Sequence, residues 1–370
     1  MYLKHLNIIN YKNIRQVEID FSEGINCFVG KNGSGKTNLL DSIYYLSFCK
    51  SYFNPVDSQI ICHDEDFFVI QGIYNRLSVD ENIYAGFKKN QKKQFKRNKK
   101  EYPKLSEHIG LLPLVIISPT DERLIVESGE QRRKYIDSVI SQFDKSYLEY
   151  LIRYNHALFQ RNTLLKNRKN IRGNIDSQLE VWDNQLVVSG NSIFEKRAKF
   201  VEMIIPLFQN YYSYISGENE IVDLKYYSHF QDGDMISLLS ESKEKDLALG
   251  YTTKGIHRDD LNLILNDYPV RRDGSQGQKK IFLIALKLAQ YDFLTAHNNF
   301  SPILLFDDIF DKIDTERGNR LIELVSKENF KQIFITDTQK ERLNNIISVI
   351  GKEFSFYNVN NGVVSEEFFN

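Results

Sequence analysis

Gly30-Lys31-Asn32-Gly33-Ser34-Gly35-Lys36-Thr37 constrains this chain more than any other stretch, because it works only between a strand and a helix. It has the spacing of a phosphate-binding loop: Gly, four free residues, Gly, Lys, then Thr. The glycines let the backbone curl so that successive N–H groups face phosphate oxygens, where a Cβ would intrude. Lys36 is placed to bring positive charge to the β- and γ-phosphates, and Thr37 to offer a hydroxyl to Mg2+. The flanks agree. Ile25-Asn26-Cys27-Phe28-Val29 predicts a buried strand entering the loop. Residues 38–46, beginning Asn38-Leu39-Leu40, predict an apolar-periodic helix leaving it with its positive end on the phosphates. Gly30 through Asn38 are therefore candidate nucleoside triphosphate ligands. No Asn-Lys-x-Asp guanine reader is present, so ATP with Mg2+ is expected.

The second half supplies matching acids. Ile303-Leu304-Leu305-Phe306 is an apolar run ending in Asp307-Asp308, as a buried parallel strand presents carboxylates at its carboxyl edge. Asp307 is the candidate Mg2+ ligand, and Asp308 the group that orients or deprotonates the attacking water. Upstream, Asp273-Gly274-Ser275-Gln276-Gly277-Gln278 opens a strongly apolar helix, with Ser275 as its candidate N-cap and a helix N-terminus free to meet an anion.

These three segments resemble the ABC-type ATPase heads, with Ser275-Gln276-Gly277-Gln278 at the place of their signature motif. The resemblance implies that Ser275, Gly277 and Gln278 contact the γ-phosphate held by an opposite protomer, so that two heads sandwich two ATPs. Asp311-Lys312-Ile313-Asp314 resembles the D-loop. Phe334-Ile335-Thr336-Asp337-Thr338 follows the next strand, where many relatives carry a switch histidine; here Thr336 or Asp337 takes over γ-phosphate sensing, or that function is absent.

Within that class the chain resembles the RecF recombination-mediator family over nearly its whole length. The residues that carry this are the opening Leu3 to Ile14, Ser118-Pro119-Thr120-Asp121, Gln131-Arg132-Arg133, and Gly255-Ile256-His257-Arg258-Asp259-Asp260-Leu261. Thr120 stands where the family usually has Glu, Ile256 where it has Pro, and Lys50-Ser51-Tyr52-Phe53 lacks an arginine often found there. The family likeness implies a cytoplasmic, ATP-dependent DNA-binding protein of replication, recombinational repair and the SOS response. Expected partners are double-stranded DNA, gapped single/double-strand junctions, and RecR and RecO type mediators, with a homodimer forming on ATP. Asp308 is one methylene shorter than the usual glutamate. A weak, DNA-stimulated ATPase is therefore expected, turning over below the usual enzyme median of ~10 s⁻¹.

Composition agrees. The chain has 370 residues, 42% of them hydrophobic and 26% charged, enough for about two domains. Three cysteines form no metal spacing, which suits a reduced cytosol. The amino terminus has no signal-like apolar run, and the longest apolar helix contains Lys287, so no membrane span is expected. Net charge is −1, so DNA binding would rest on local patches.

The expected fold class is α/β: a P-loop ABC-type ATPase head with an inserted α-helical lobe. Residues 1–115 and 250–370 are assigned to the α/β lobe and 116–249 to the helical one. Ser128-Gly129-Glu130-Gln131 fits a capping box, and apolar residues then recur at helical spacing from Tyr135 to Ile152. A second helical region runs from about Gln178 to Tyr214, the return to the sheet begins near Ile221, and Phe354 to Phe369 reads as a hairpin around Asn360-Asn361-Gly362. Helices this short exclude the long coiled-coil arm of SMC-type proteins.

Three basic clusters stand out. Lys88 to Lys100 carries eight basic residues in thirteen and fits either a DNA contact or a solvated hairpin. Arg132-Arg133-Lys134 opens a helix, where cations oppose the dipole and a partner anion or carboxylate is expected. Arg161, Lys166, Arg168, Lys169 and Arg172 mark a helical hairpin tip, which fits a DNA track or an ordinary charged tip. His257 is assigned structural hydrogen bonding. The alternative to the RecF-like function is the ATPase subunit of an ABC-type transporter. A P-loop switch or small-molecule kinase leaves Ser275-Gln276-Gly277-Gln278 without a role.

Overall fold

The computed structural model describes residues 1–170, 174–217, 220–298, 300–311, 313–340, 343 and 354–367. Arg172, Lys312 and Phe369 lie outside the described residues. The first elements are β1 (Tyr2–Tyr11), β2 (Ile14–Asp20), β3 (Ile25–Val29), α1 (Lys36–Phe48), β4 (Phe67–Arg76), β5 (Val79–Lys88), β6 (Gln94–Arg97), β7 (Lys100–Glu101) and β8 (Leu114–Ile117). Then follow α2 (Arg123–Val126), α3 (Gly129–Ile140), α4 (Lys145–Lys166), α5 (Ile175–Ser216), β9 (Val222–Tyr227), α6 (Met235–Leu249), β10 (Asp260–Leu265), β11 (Tyr268–Pro269) and α7 (Val270–Asp273). The chain continues with α8 (Gln276–His297), β12 (Ile303–Asp307), α9 (Thr315–Ser326), β13 (Ile333–Asp337), β14 (Phe354–Asn360) and β15 (Val363–Glu367). Two compact units result: residues 1–121, 211–218 and 280–370 form one, and 122–210 with 219–279 the other.

The first unit holds two six-stranded sheets. One is antiparallel in the order β2-β1-β4-β5-β6-β7. Its strands alternate as a half-buried sheet should, with Phe68, Ile70 and Tyr74 of β4 all turned inward. The other has the order β15-β14-β3-β13-β12-β8, parallel except at β15. Its inner strands are continuous apolar runs because both faces are covered: Ile303, Leu304, Leu305 and Phe306 are fully buried. Helix α1 packs against β1, β4 and β5 on one side and against β8, β12 and β13 on the other. That placement explains why it is buried almost all round. β14 and β15 form the expected hairpin, turning through Asn361 at φ 49° and Gly362 at φ 78°, the left-handed pair such a two-residue turn needs.

The second unit differs from expectation in three respects. Residues 250–279 join it rather than the α/β unit, and β9, β10 and β11 make a separate three-stranded sheet instead of extending the parallel one. The periodic stretch from Tyr135 to Ile152 is two helices, because Asp144 accepts the Tyr147 N–H at 2.9 Å and starts α4 afresh. Ser128 is the N-cap of α3, but its side chain makes no capping bond, so the capping box does not form.

Two buried arginines knit this unit. Arg197 of α5 reaches Asp137 at 2.8 Å, Asp259 at 2.7 Å and the Ile256 carbonyl at 2.9 Å. Arg161 of α4 bonds Asp183 of α5 and Asp246 of α6. Removing one partner of such a pair leaves a charge buried and uncompensated. Arg197→Met should therefore destabilise the protein by about 3–5 kcal/mol. Urea unfolding checks this, and a loss under about 1 kcal/mol would contradict the role.

Candidate nucleoside triphosphate site

The carboxyl ends of β3, β13 and β12 lie side by side: Val29 is opposite Asp337, and Thr336 opposite Asp307. Ligands of open α/β sheets gather at such an edge. The loop leaves β3 there and turns into α1 through Gly33 at φ 77° and Gly35 at φ 117°. A side chain at Gly30 would place its Cβ 2.2 Å from the Val359 carbonyl oxygen, so no other residue fits without moving β14. Lys36 is 3% exposed and its Nζ donates to the carbonyls of Gly30 at 2.8 Å and Lys31 at 3.1 Å. The Ser34 hydroxyl is buried with no hydrogen-bond partner among the described residues, an unusual state for a polar atom that nothing else in the fold explains. Asn13, in the β1–β2 turn, accepts from Asn38 at 2.7 Å and braces the loop from outside.

Asp307 is the junction of the site. Its Oδ1 accepts from Thr37 at 2.8 Å and from Thr336 at 3.0 Å, and its Oδ2 accepts from Ser118 at 3.3 Å. Burial nevertheless holds its carboxyl above the usual aspartate range, with the three hydroxyls pulling the other way. Asp308 sits at φ 45°, its N–H donating to Thr336 Oγ1 at 2.9 Å. Burial raises its pKa too, and the adjacent Asp307 adds to the rise. Thr336 thus bridges both acids from the strand between the loop and the acidic strand. Its hydroxyl is fully buried and committed to them. Asp337 accepts the Gln339 N–H at 2.8 Å.

Ser275, Gly277 and Gln278 belong to the second unit, whereas the loop and the acids belong to the first. Ser275 and Gln278 form a reciprocal cap: the Gln278 N–H donates to Ser275 Oγ at 3.2 Å, and the Ser275 N–H to Gln278 Oε1 at 2.7 Å. Ser275 is exposed. In the D-loop segment, Asp314 caps α9 by accepting the Arg317 N–H at 2.9 Å, and the Asp311 carbonyl accepts from Lys280.

Ser118 had no mark in the sequence beyond its place in a motif. Parallel pairing of β8 with β12, across a separation of 189 residues, brings it to Asp307. Among the basic clusters, Arg161 is fully buried in ion pairs and is not a surface residue, correcting its place at the hairpin tip. Lys166, Arg168 and Lys169 are exposed. Arg132 pairs with Asp260 at 2.6 Å and Lys134 with Glu130 at 2.7 Å, so carboxylates of the same unit answer these charges. In the hairpin, Lys89 pairs with Asp66, Lys93 with Asp57, and Arg97 with Glu81. Lys88, Lys92, Lys99 and Lys100 stay exposed, with no carboxylate partner among the described residues. His257 contacts Tyr154 OH at 2.9 Å and the Thr252 carbonyl at 3.0 Å, and burial lowers its pKa to about 4. No helix among the described residues is long and apolar enough to cross a membrane.

A strand interposed between the loop and the acids, with a hydroxyl bridging them, places the chain in the class of ABC-type ATPase heads. The Smc head domain with an extended coiled coil from Pyrococcus furiosus, bound to the C-terminal domain of ScpA, shares this fold at TM-score 0.59. It is 17% identical, covering 99% of this chain and 96% of that one. Residues 2–362 match the RecF/RecN/SMC N terminal domain family. The chain belongs to the RecF family: it is 51% identical to the DNA replication and repair protein RecF of Bacteroides fragilis strain YCH46, over 99% of this chain and 98% of that protein. A solved structure of the recombination mediator protein RecF-ATP in the RecFOR pathway is 30% identical, with TM-score 0.88 over 99% of this chain and 98% of that one. The transporter alternative is not favoured by these likenesses.

Proposed function

We propose that this chain is a cytoplasmic, ATP-dependent DNA-binding protein of replication and recombinational repair that closes as an ATP-sandwiched dimer on duplex DNA near gaps. The observation that carries this reading is end-to-end similarity to RecF, 51% identical with no large segment unmatched. The loop backbone from Gly30 to Asn38 cradles the phosphates, Lys36 leaves its two carbonyls for them, and the unpartnered Ser34 hydroxyl finds an acceptor. Thr37 and Asp307 fit Mg2+, which takes one or two carboxylates with hydroxyl, water and phosphate oxygens rather than an all-protein cage. Among the described residues no cluster of three His, Cys, Asp or Glu offers another metal site. When bound, the ion supplies neutralising charge on the phosphates. Asp308 orients water and takes its proton, and Ser275, Gly277 and Gln278 of a second copy cap the nucleotide. Hydrolysis is slow and reopens the dimer, and RecR and RecO type mediators act with it to load recombinase.

Retention on gapped duplex DNA tests the reading. ATP should retain the protein and ADP should release it. Equal retention without nucleotide would overturn the clamp, and no DNA affinity in any state would revive the transporter. A second expectation concerns pH. A base must be ionised, and the Asp308 pKa is raised above its ordinary 3.8, so hydrolysis should fail on the acid side earlier than an ordinary aspartate dictates. Asp308→Asn should remove that limb and slow turnover by about 10²-fold or more. A wild-type rate that is flat down to about pH 4 would contradict the assignment.

A further inference from the structure

Lys287 lies in the middle of α8, among residues from Ile281 to Leu294 that are almost all buried. Its side chain is 7% exposed and its Nζ is 2.8 Å from Asp121 Oδ1, whose side chain is 2% exposed. Neither charge belongs in such a place for stability alone, since an apolar pair of the same volume commonly does as well or better. The pair is also wired to the site. Asp121 Oδ2 accepts the Ser118 N–H at 2.9 Å, and the Ser118 hydroxyl donates to Asp307 at 3.3 Å. Tyr52 OH donates to Asp121, its ring lies 5.8 Å from Lys287 Nζ, and its N–H donates to Asp41 of α1 at 2.7 Å. Asp41 in turn holds Lys12 at 2.6 Å and the Tyr11 hydroxyl at 2.7 Å. One continuous set of hydrogen bonds therefore joins the helix behind the phosphate loop, the acid at the tip of β12, and the body of α8.

α8 is also the helix that begins at the signature residues, with Gln278 about 14 Å up its axis from Lys287. Asp121 is the last residue of the first unit before the chain crosses into the second at Glu122. We propose that the buried Asp121–Lys287 pair, with Tyr52 and Ser118, is a positioning relay: a change at Asp307 or in α1 on nucleotide binding is passed to α8, setting whether its signature end is presented to a second copy. Ser118 is the element that moves first, because its hydroxyl and an incoming ion compete for the same carboxylate. Lys287 and Asp121 touch no phosphate; they act through α8.

The inference rests on the ATP-dependent dimer proposed above, and two measurements separate them. The Asp121→Asn, Lys287→Met double variant keeps the shape of the pair without its charges. Binding of a fluorescent ATP analogue to dilute monomer should stay within about threefold of wild type, whereas the protein concentration for half-dimerisation with ATP and Mg2+ should rise by about tenfold or more. Tyr52→Phe, which removes one hydroxyl, should shift the same midpoint in the same direction by less and carries the test should the double variant not fold. Closure at the wild-type midpoint would overturn the relay, as would parallel losses of nucleotide affinity and closure, which mark a merely structural pair. A wild-type protein that fails to dimerise with ATP would instead overturn the proposed function beneath it.

Discussion

Lys36→Met should abolish nucleotide-dependent closure while leaving the fold intact. Lys36 is nearly buried, but its Nζ is held only by the carbonyls of Gly30 and Lys31, both on the same loop. Met matches the stem and removes the charge, so folding loses two local hydrogen bonds and no long-range contact. The nucleotide loses its charged partner at the β- and γ-phosphates. A hydrogen bond to a charged group is worth about 1.5–3 kcal/mol, so affinity should fall by up to about a hundredfold. Closure, which needs both sites of the dimer filled, should fall further. Titration with a fluorescent ATP analogue, run beside thermal unfolding, separates the two effects. Closure at wild-type strength would remove Lys36 from its role.

Asp307→Asn should have the second-largest effect, and it has two opposite signs. Asparagine keeps an acceptor for Thr37 and Thr336, and its amide can donate to the Ser118 hydroxyl, so the hydrogen bonds around it survive. What disappears is the negative charge. Turnover should fall by about 10²–10³-fold, as when an electrostatic group at a reacting centre is removed. Stability should move the other way. The Asp307 pKa is raised by burial, so its charged form is disfavoured in the folded protein above that pKa, and removing the charge relieves that cost at neutral pH. The melting temperature should rise without nucleotide, with the rise shrinking as pH falls and Asp307 protonates. Unchanged turnover, or a lower melting temperature at neutral pH, would contradict the account of this residue.

The parts of the site that were legible in the sequence are those whose chemistry is local. Strand, loop and helix follow one another from Ile25 to Phe48, so their spacing alone places Lys36 and Thr37. Asp307 and Asp308 were readable for the same reason, as acids at the end of an apolar run. Ser118 was not, because its function depends on parallel pairing between β8 and β12, which no local pattern encodes. Arg161 was misplaced for a related reason. A basic residue near a polar break reads as surface, and only the packing of α4 against α5 and α6 supplies Asp183 and Asp246 to bury it. β9 and β10 read as a return to the main sheet because alternation reports a strand, not its partner. Asn13 could have been suspected from its place in the opening turn, but its contact with Asn38 needed the sheet to fold first.

The molar mass in solution, measured with and without ATP and Mg2+ on Asp308→Asn to slow hydrolysis, tests the central claim most directly. A parallel run contains gapped DNA. The account predicts a monomer that doubles in mass on ATP and is then retained on the DNA. A species that stays monomeric with ATP and ignores DNA would contradict it, because the signature residues would then not be used between copies of the chain.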